Sequence, residues 1–170
     1  IGNSDGDMAD HQVRRIERFT ASLMDFSAQN TKRQPANLND LIVQLVRFIQ
    51  PQHRYRDVKF TLCLAARLPF VEIDSGQVQQ ILLNLYANAA DAMKSGLVTT
   101  VTRLREADGK VILTVSDNGP GMPPRVLSRI FEVGFTTKRT GHGFGLSICK
   151  RIMDNHGGDI AAQSEVAPSW

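Results

Sequence analysis

Cysteine, long apolar runs and targeting signals are scarce or absent in this sequence of 170 residues. Cys63 and Cys149 are too few for a disulfide framework and fit neither a metal-ligand nor a Cys-x-x-Cys spacing, so we expect reduced thiols in a cytoplasmic protein. No apolar run approaches the roughly 20 residues that a membrane-spanning helix needs, and no secretory signal is recognisable. We therefore expect a cytoplasmic chain without direct membrane contact, whose parent protein is free to carry an anchor elsewhere.

A strong excess of charge of one sign is also missing. The formal net charge is +3 although the isoelectric point is about 9.1, and acidic residues are interspersed with Lys and Arg along the chain. A nucleic-acid footprint needs a clustered basic face, so no nucleic-acid partner is predicted, and a basic pocket for nucleotide phosphates accounts for the same excess. The length suits one ordinary domain with an appended element.

A helical stripe of apolar residues marks the first part of the chain. Between residues 10 and 32 the apolar positions recur at spacings of three and four, namely at Val13, Ile16, Phe19, Leu23 and Phe26. This stripe must pack on another surface, and Pro35 ends the helix. We therefore divide the chain into a flexible start with one long helix, residues 1–34, and a main domain, residues 35–170.

The main domain mixes helices with strands. Residues 37–40 cap a helix that runs up to Pro51, Asp74 and Ser75 cap a longer helix that runs to Met93, and residues 107–109 form a hairpin turn. The patterns further predict strands at 58–65, 70–73, 98–105, 110–116 and 159–164, and helices at 126–131 and 144–155. This order predicts an α+β fold with helices on one face of a mixed sheet.

Three polar side chains share one face of the helix that ends at Met93. Asn84, Asn88 and Asp91 lie three or four residues apart, and many other positions of this helix are apolar. A solvated helix face explains such a pattern without any ligand. The functional alternative is that an Asn oxygen, a neutral and hard ligand, holds Mg²⁺ whose other ligands are phosphates and water.

A turn with two glycines follows the predicted strand 110–116. It runs from Asp117 to Met122 and includes Gly119 and Gly121. A tight turn alone explains these residues structurally. Alternatively, the carboxylate of Asp117 accepts a hydrogen bond from the amino group of adenine, where guanine presents a carbonyl, and so selects ATP over GTP.

Three alternating glycines, Gly141, Gly143 and Gly145, stand directly before the helix at 144–155. Their backbone N–H groups and the positive helix end can approach phosphate oxygens, with Lys138 and Arg139 adding positive charge. The spacing differs from a P-loop because no Lys-Ser/Thr pair follows the last glycine. A lone glycine run of this kind is a weak signal.

Taken in order, these motifs resemble the boxes of the histidine kinase ATPase domain, a member of the gyrase, Hsp90 and MutL superfamily. The resemblance covers roughly residues 38–165 and rests on four motifs in sequence, which together are far more specific than any one of them. It implies a two-layer α/β sandwich of the Bergerat type, preceded by one long helix, that binds ATP and Mg²⁺. The implied ATP-binding residues are Asn84, Asn88, Asp91, Asp117, Gly119, Gly121, Phe131, Thr137, Lys138, Gly141, Gly143, Gly145 and Leu146.

The resemblance also assigns roles to these residues. Asn88 is the implied Mg²⁺ ligand, Asn84 supports the phosphate site, and Asp117 contacts adenine. Gly119 and Gly121 allow a close backbone approach. Lys138 and the backbone of the glycine loop at residues 141–145 bind the triphosphate, and residues 123–140 form a mobile lid.

The residue at position 84 separates a kinase from a hydrolase. Gyrase-like ATPases usually carry a Glu four residues before the Mg²⁺-binding Asn, where it serves as general base, whereas Asn84 cannot take a proton at neutral pH. The resemblance therefore implies a sensor histidine kinase, which transfers the ATP γ-phosphoryl group to a histidine for relay to a response regulator. Two alternatives remain open, a non-catalytic nucleotide-binding or dimerisation module and a gyrase-like ATPase.

The first helix resembles the second helix of the kinase dimerisation hairpin, through residues 15–27. This implies a homodimer in the intact protein, held by a four-helix bundle. The preceding helix with the His-Glu/Asp-x-x-x-Pro signature is missing, and His11 is followed by neither an acid nor a proline. We therefore expect no catalytic residue within this chain and no autophosphorylation by the chain alone.

Two further features depart from the family. His142 and Phe144 stand in the glycine loop, where the family more often has small or aliphatic residues. After Glu165 the family normally continues with a glycine turn and a final strand, which we expect to be missing from the sheet.

Overall fold

The computed structural model describes residues 31–93, 95–138, 141 and 143–166. The predicted first helix lies outside these residues, apart from Thr31 and Lys32, which are not helical. The predicted division of the chain at residue 34 and the dimerisation role of residues 15–27 therefore stay predictions. None of the described helices is long and apolar enough to cross a membrane.

Helices and strands are mixed along the described chain. In chain order they are β1 (Gln34–Ala36), α1 (Leu38–Ile49), β2 (Val58–Cys63), β3 (Val71–Ile73), α2 (Ser75–Ala92), β4 (Gly96–Arg105), β5 (Lys110–Asp117), α3 (Pro124–Leu127) and α4 (Gly145–Asn155), with a 3₁₀ turn at His53–Tyr55. The side chains of Asn37 and Asp74 accept backbone N–H groups in the first turns of α1 and α2. Both helices therefore begin at the predicted caps.

Strand β4 is the centre of a three-stranded mixed sheet. It pairs in parallel with β2, with Val58 opposite Gly96, and antiparallel with β5, with Val98 opposite Asp117. The turn between β4 and β5 includes Gly109, whose φ of +68° favours glycine. A separate antiparallel ladder joins β1 to β3. The mixed sheet is confirmed, and its register places the end of β5 beside the start of β4.

Helices α1 and α2 share an apolar core with the sheet. Ile42 of α1, Leu82 and Tyr86 of α2, and Val98 of β4 are all 0% exposed, and apolar side chains of β2 and β5 pack against the same cluster. The buried hydroxyl of Tyr86 forms a hydrogen bond of 2.9 Å with Thr100, so neither polar group is left unpaired. The predicted α+β sandwich is therefore confirmed.

The predicted strand at residues 159–164 is wrong. Residues 159–166 contain no strand. A strand needs a ladder of paired backbone groups, whereas the contact of Ser164 with Met122 is made by a side chain: its hydroxyl oxygen accepts the backbone N–H of Met122 at 2.8 Å.

Two smaller differences involve proline. Pro35 lies within β1, opposite Glu72 of β3, in a short two-stranded ladder where the missing N–H is tolerated. The short helix predicted at 126–131 is α3, which begins at Pro124 and ends at Leu127. Proline at the first helical position has its backbone angle already set for a helix, and this explains the earlier start.

Candidate functional site

The predicted site residues of α2 lie on the side of the helix opposite its core face. Leu82 and Tyr86 point into the core, whereas Asn84 and Asn88 are half-buried and Asp91 is exposed. Successive residues are rotated by about 100° along a helix, so spacings of four and three place these three polar side chains on one stripe. The stripe becomes most exposed at the C-terminal end of α2.

Asn84 connects α2 to the start of α4. Its side-chain amide donates to the carbonyl oxygen of Gly145 at 3.2 Å and to the sulfur of Cys149 at 3.6 Å. A Cβ at Gly145 would lie 3.6 Å from the Asn84 side chain, so the glycine lies directly against this amide. The glycine loop is thereby joined to the helix that carries the other polar residues.

Burial keeps Cys149 uncharged beside Asn84. Desolvation raises the pKa of this thiol to about 11, although the hydrogen bond from Asn84 acts in the opposite direction. The amide of Asn84 has no titrating proton acceptor either. Neither Asn84 nor Cys149 can therefore act as a general base at neutral pH.

Lys138 lies against the exposed end of the α2 stripe. Its ammonium group donates to Oδ1 of Asn88 at 3.0 Å and to Oδ2 of Asp91 at 2.8 Å. The other carboxylate oxygen of Asp91 accepts from Nη2 of Arg54 at 2.7 Å and from its Nε at 3.2 Å. Asp91 therefore contacts two cations that come from different parts of the chain.

Electrostatics favour the ionised form of Asp91. Partial desolvation alone would raise the pKa of this carboxyl, but the hydrogen bonds and charges of Lys138 and Arg54 outweigh it and lower the pKa below its ordinary value. Arg54 was not among the predicted site residues. It belongs to the 3₁₀ turn between α1 and β2, and no periodicity or motif distinguishes it from the neighbouring Arg56.

The turn after β5 approaches the C-terminal end of α2. Oδ1 of Asp117 accepts the backbone N–H of Gly119 at 2.9 Å, and Oδ1 of Asn118 accepts that of Leu97 at 2.7 Å, which fixes the turn to β4. A Cβ at Gly119 would lie 2.7 Å from Asp117 Oδ1 and 3.3 Å from Cγ of Met93. Only glycine fits without a shift, and its bare backbone lies beside the end of α2.

Gly121 has a packing role in the structure. Its φ is +74°, and a Cβ here would collide with the backbone carbonyl of Glu165. The adjacent Met122 is the residue bonded to Ser164. The close approach between this turn and residues 164–166 therefore requires glycine whether or not a ligand is bound.

The glycine loop contacts the segment that precedes Lys138. Gly143 has a φ of +71°, its carbonyl accepts the backbone N–H of Gly134 at 3.1 Å, and a Cβ at Gly143 would collide with that neighbour. The ring of Phe135 lies under the guanidinium of Arg129 at 4.5 Å, a cation–π contact that supports the same turn. Backbone contacts therefore hold the glycine loop against the segment that precedes Lys138.

The last predicted residues also lie in this region. The backbone N–H of Gly141 donates to the carbonyl of Lys138 at 3.3 Å. Phe131 and Leu146 are half-buried, and Thr137 is exposed. Arg139, Thr140 and His142 fall outside the described residues, so the predicted contribution of Arg139 to the positive charge stays a prediction.

All four motifs therefore meet along one side of α2. Gly145 lies at Asn84, Lys138 lies at Asn88 and Asp91, and Gly119 lies beyond them at Met93. The amide oxygen of Asn88 is a suitable magnesium ligand when phosphates and water supply the rest, and the nearby cations suit a polyphosphate. The chemistry of these residues suits a magnesium ion and a nucleoside triphosphate, while their roles in binding stay predictions.

Comparison with known proteins adds a family and a fold. Residues 73–168 match the family described as histidine kinase-, DNA gyrase B-, and HSP90-like ATPase. The sensor histidine kinase ZraS of Salmonella typhi is 32% identical over 154 residues, which cover 90% of this chain and 33% of ZraS. The chain thus spans about a third of the length of this relative.

Two solved structures share the fold. Full-length ShkA in complex with AMPPNP superposes with a TM-score of 0.67 and 28% identity, over 79% of this chain and 30% of that chain. The histidine kinase ThkA in complex with the response regulator protein TrrA superposes with a TM-score of 0.67 and 26% identity, over 87% of this chain and 42% of that chain.

Proposed function

Because the chain belongs to the histidine kinase-, DNA gyrase B-, and HSP90-like ATPase family, we propose that it is the ATP-binding catalytic domain of a two-component sensor histidine kinase. In this proposal the chain binds Mg-ATP, and the intact homodimer transfers the γ-phosphoryl group to a histidine of its dimerisation helix and then to a response regulator. The observation that carries the proposal is the meeting of four motifs along α2. The similarity to ZraS, to ShkA with AMPPNP and to ThkA with TrrA supports it.

Each motif has a defined task in this proposal. Asp117 accepts a hydrogen bond from the adenine amino group, and the bare backbone at Gly119 lets the base approach the end of α2. Asn88 ligates Mg²⁺, while Lys138 and the N-terminal end of α4 at Gly145 neutralise phosphate charge. Magnesium, when bound, supplies further neutralisation, so catalysis by the protein is mostly positioning and electrostatics.

Transfer is favoured over hydrolysis by the environment of Asn84. A hydrolase needs a proton acceptor for the attacking water, and the amide of Asn84 is a donor engaged with Gly145 and Cys149. We therefore expect ATP to remain intact until a nucleophile from another part of the protein arrives. This feature speaks against a gyrase-like ATPase.

Calorimetric titration of the chain tests the binding step. A non-hydrolysable ATP analogue is expected to bind in the presence of Mg²⁺ and more weakly without it, whereas the matching GTP analogue is not expected to bind. Asn88→Ala should remove the difference between titrations with and without Mg²⁺, because the metal loses its protein ligand. Gln44→Ala, an exposed amide change on α1, serves as the control. Absence of ATP binding would contradict the proposal.

A transfer assay tests the reaction. The chain is mixed with a separately produced dimerisation hairpin that carries the acceptor histidine of a relative such as ZraS, together with γ-labelled ATP. Label on the histidine supports the kinase. Binding without transfer supports a non-catalytic nucleotide-binding module, and rapid phosphate release without the hairpin supports an ATPase.

A further inference from the structure

In the described arrangement the hydrogen bond between Lys138 and Asn88 keeps both side chains from their proposed ligands. The proposed function needs the ammonium of Lys138 at phosphate and the amide oxygen of Asn88 at Mg²⁺, yet here the two groups are hydrogen bonded at 3.0 Å. An ammonium group and a magnesium ion are both cations and compete for one amide oxygen. Lys138 must therefore leave Asn88 before the metal can bind there.

Asp91 is the second group that holds Lys138. The ion pair is 2.8 Å long, and both side chains are partly exposed, Lys138 by 40% and Asp91 by 33%. A partly exposed pair of this kind changes an equilibrium by only about two- to fivefold. The contact is therefore strong enough to bias the position of Lys138 and weak enough for a triphosphate to break.

Arg54 keeps Asp91 paired when Lys138 moves. Each carboxylate oxygen contacts one cation, Oδ1 with Arg54 and Oδ2 with Lys138. Arg54 lies in the 3₁₀ turn before β2, outside the segment 123–140 that is predicted to form the lid. Asp91 retains a counterion after the exchange; partial desolvation would raise its pKa, but the hydrogen bonds and charges of Lys138 and Arg54 lower it below its ordinary value. The cluster thus combines an acid on α2, a cation outside the lid and a cation on the lid segment.

We propose that Asp91 and Arg54 are positioning residues that control Lys138. Asp91 holds Lys138 on α2 while no nucleotide is bound and releases it to the phosphates of Mg-ATP, and Arg54 sets the strength of this hold by sharing the carboxylate. Asp91 then acts through Lys138 instead of contacting the nucleotide, in contrast to its predicted role as an ATP-binding residue. The release step rests on the proposed function, because a phosphate group takes Lys138 away.

The sign of one mutational effect tests the proposal. Asp91→Asn removes the hold, so the ATP analogue should bind about two- to fivefold more tightly. Asp154→Asn changes the net charge equally and disrupts the Lys150 pair at the far end of α4, and it should leave the affinity unchanged. Weaker binding by Asp91→Asn would overturn the proposal, because it would place Asp91 on the nucleotide or metal.

Double variants distinguish two effects that Asp91 could have on nucleotide affinity: its ion pair with Lys138 and its direct repulsion of phosphate. In a Lys138→Met background Asp91→Asn should no longer improve binding, whereas repulsion would persist there. Arg54→Gln should weaken binding in the wild type, because Asp91 then holds Lys138 more tightly, and should have no effect in the Asp91→Asn background. A weakening that persists in that background would overturn the proposal, since Arg54 would then contact phosphate itself.

A measurement without nucleotide tests the hold separately from the proposed function. Amine-directed labelling followed by mass spectrometry reports the reactivity of each lysine, and an amine whose hydrogen bonds go to Asp91 and Asn88 is less accessible to the reagent. Asp91→Asn should raise the labelling rate of Lys138 and leave that of Lys150 unchanged. Unchanged labelling of Lys138 would overturn the hold, even in a chain that binds ATP. Absence of nucleotide binding would overturn the proposed function and its release step, whatever the labelling shows.

Discussion

Asp117 illustrates how a single side chain can serve its own turn and still remain available to a ligand. One carboxylate oxygen accepts the N–H of Gly119 at 2.9 Å. A carboxylate has a second oxygen with full acceptor capacity, and Asp117 is exposed at the end of β5. The turn therefore fixes the carboxylate at the place where the proposed adenine contact is made.

Asp117→Asn should weaken binding of the ATP analogue about ten- to hundredfold, equivalent to a loss of about 1.5–3 kcal/mol. The amide retains an oxygen that can accept from Gly119, but its second group is a donor that opposes the adenine amino group. Calorimetric titration measures the affinity. Because the residue is exposed, the free energy of unfolding should change by less than about 0.5 kcal/mol. An unchanged affinity would remove Asp117 from the proposed site.

Asn84 offers a second test at the residue scale, since its amide donates to Gly145 and Cys149. Asn84→Glu should destabilise the chain by about 1–3 kcal/mol relative to Asn84→Gln, because the carboxylate has the same length but cannot donate to the Gly145 carbonyl. Urea unfolding compares the two variants. Asn84→Gln should release phosphate from ATP no faster than the wild type, and rapid release by the wild-type chain would instead favour the gyrase-like alternative.

At the scale of elements, prediction from sequence succeeded where the pattern was long. Helix α2 is long and has a clear cap, the β4–β5 hairpin has a clear turn, and both form within one or two residues of their predicted bounds. Strand β1 is only three residues long and contains Pro35, so no local pattern indicated it. The segment 159–164 was predicted as a strand, but a strand also needs a partner ladder, which a local pattern does not report.

The site shows the same division between local and long-range information. Motif order and helical spacing were enough to place Asn84, Asn88 and Asp91 on one stripe. The contact of Arg54 with Asp91 spans 37 residues and depends on how the 3₁₀ turn packs beside the end of α2. Such a contact follows from the fold, so sequence reasoning missed it.

The position of the glycine loop can be tested by comparing Gly143 with a glycine in another turn, Gly109. Gly143 and Gly109 both have positive φ, at +71° and +68°, but only Gly143 has backbone neighbours where a Cβ would lie. Gly109→Ala should therefore cost about 1 kcal/mol of unfolding free energy and leave nucleotide affinity unchanged. Gly143→Ala should cost more and also weaken binding of the ATP analogue, because the loop must move away from Gly134. Urea unfolding and calorimetry measure both effects, and equal behaviour of the two variants would show that the loop is not held in this way.

For the molecule as a whole, one helix is shared between core and site. The core face of α2 carries fully buried Leu82 and Tyr86, and its opposite side carries Asn84 against Cys149 of α4. Helix α4 contributes its own buried residues, including Ile152 and Cys149. The global stability of the fold and the position of the site residues therefore depend on the same packed helices.

Alkaline pH should lower the stability of the fold through the buried thiol of Cys149. Burial raises its pKa to about 11, whereas a thiol in an unfolded chain has a pKa of about 8.5. Between these values the folded state keeps a proton that the unfolded state has lost, so the free energy of unfolding should fall as pH rises, by up to about 1.4 kcal/mol per pH unit. Urea unfolding at about pH 8, 9 and 10 measures this slope.

Cys149→Ala should make the slope shallower, and Cys63→Ala, which changes an exposed thiol, should not. The pKa of Tyr86 is also raised by burial, but this residue is present in both variants. Identical slopes for the two variants would mean that the Cys149 thiol ionises as readily in the folded chain as in the unfolded one.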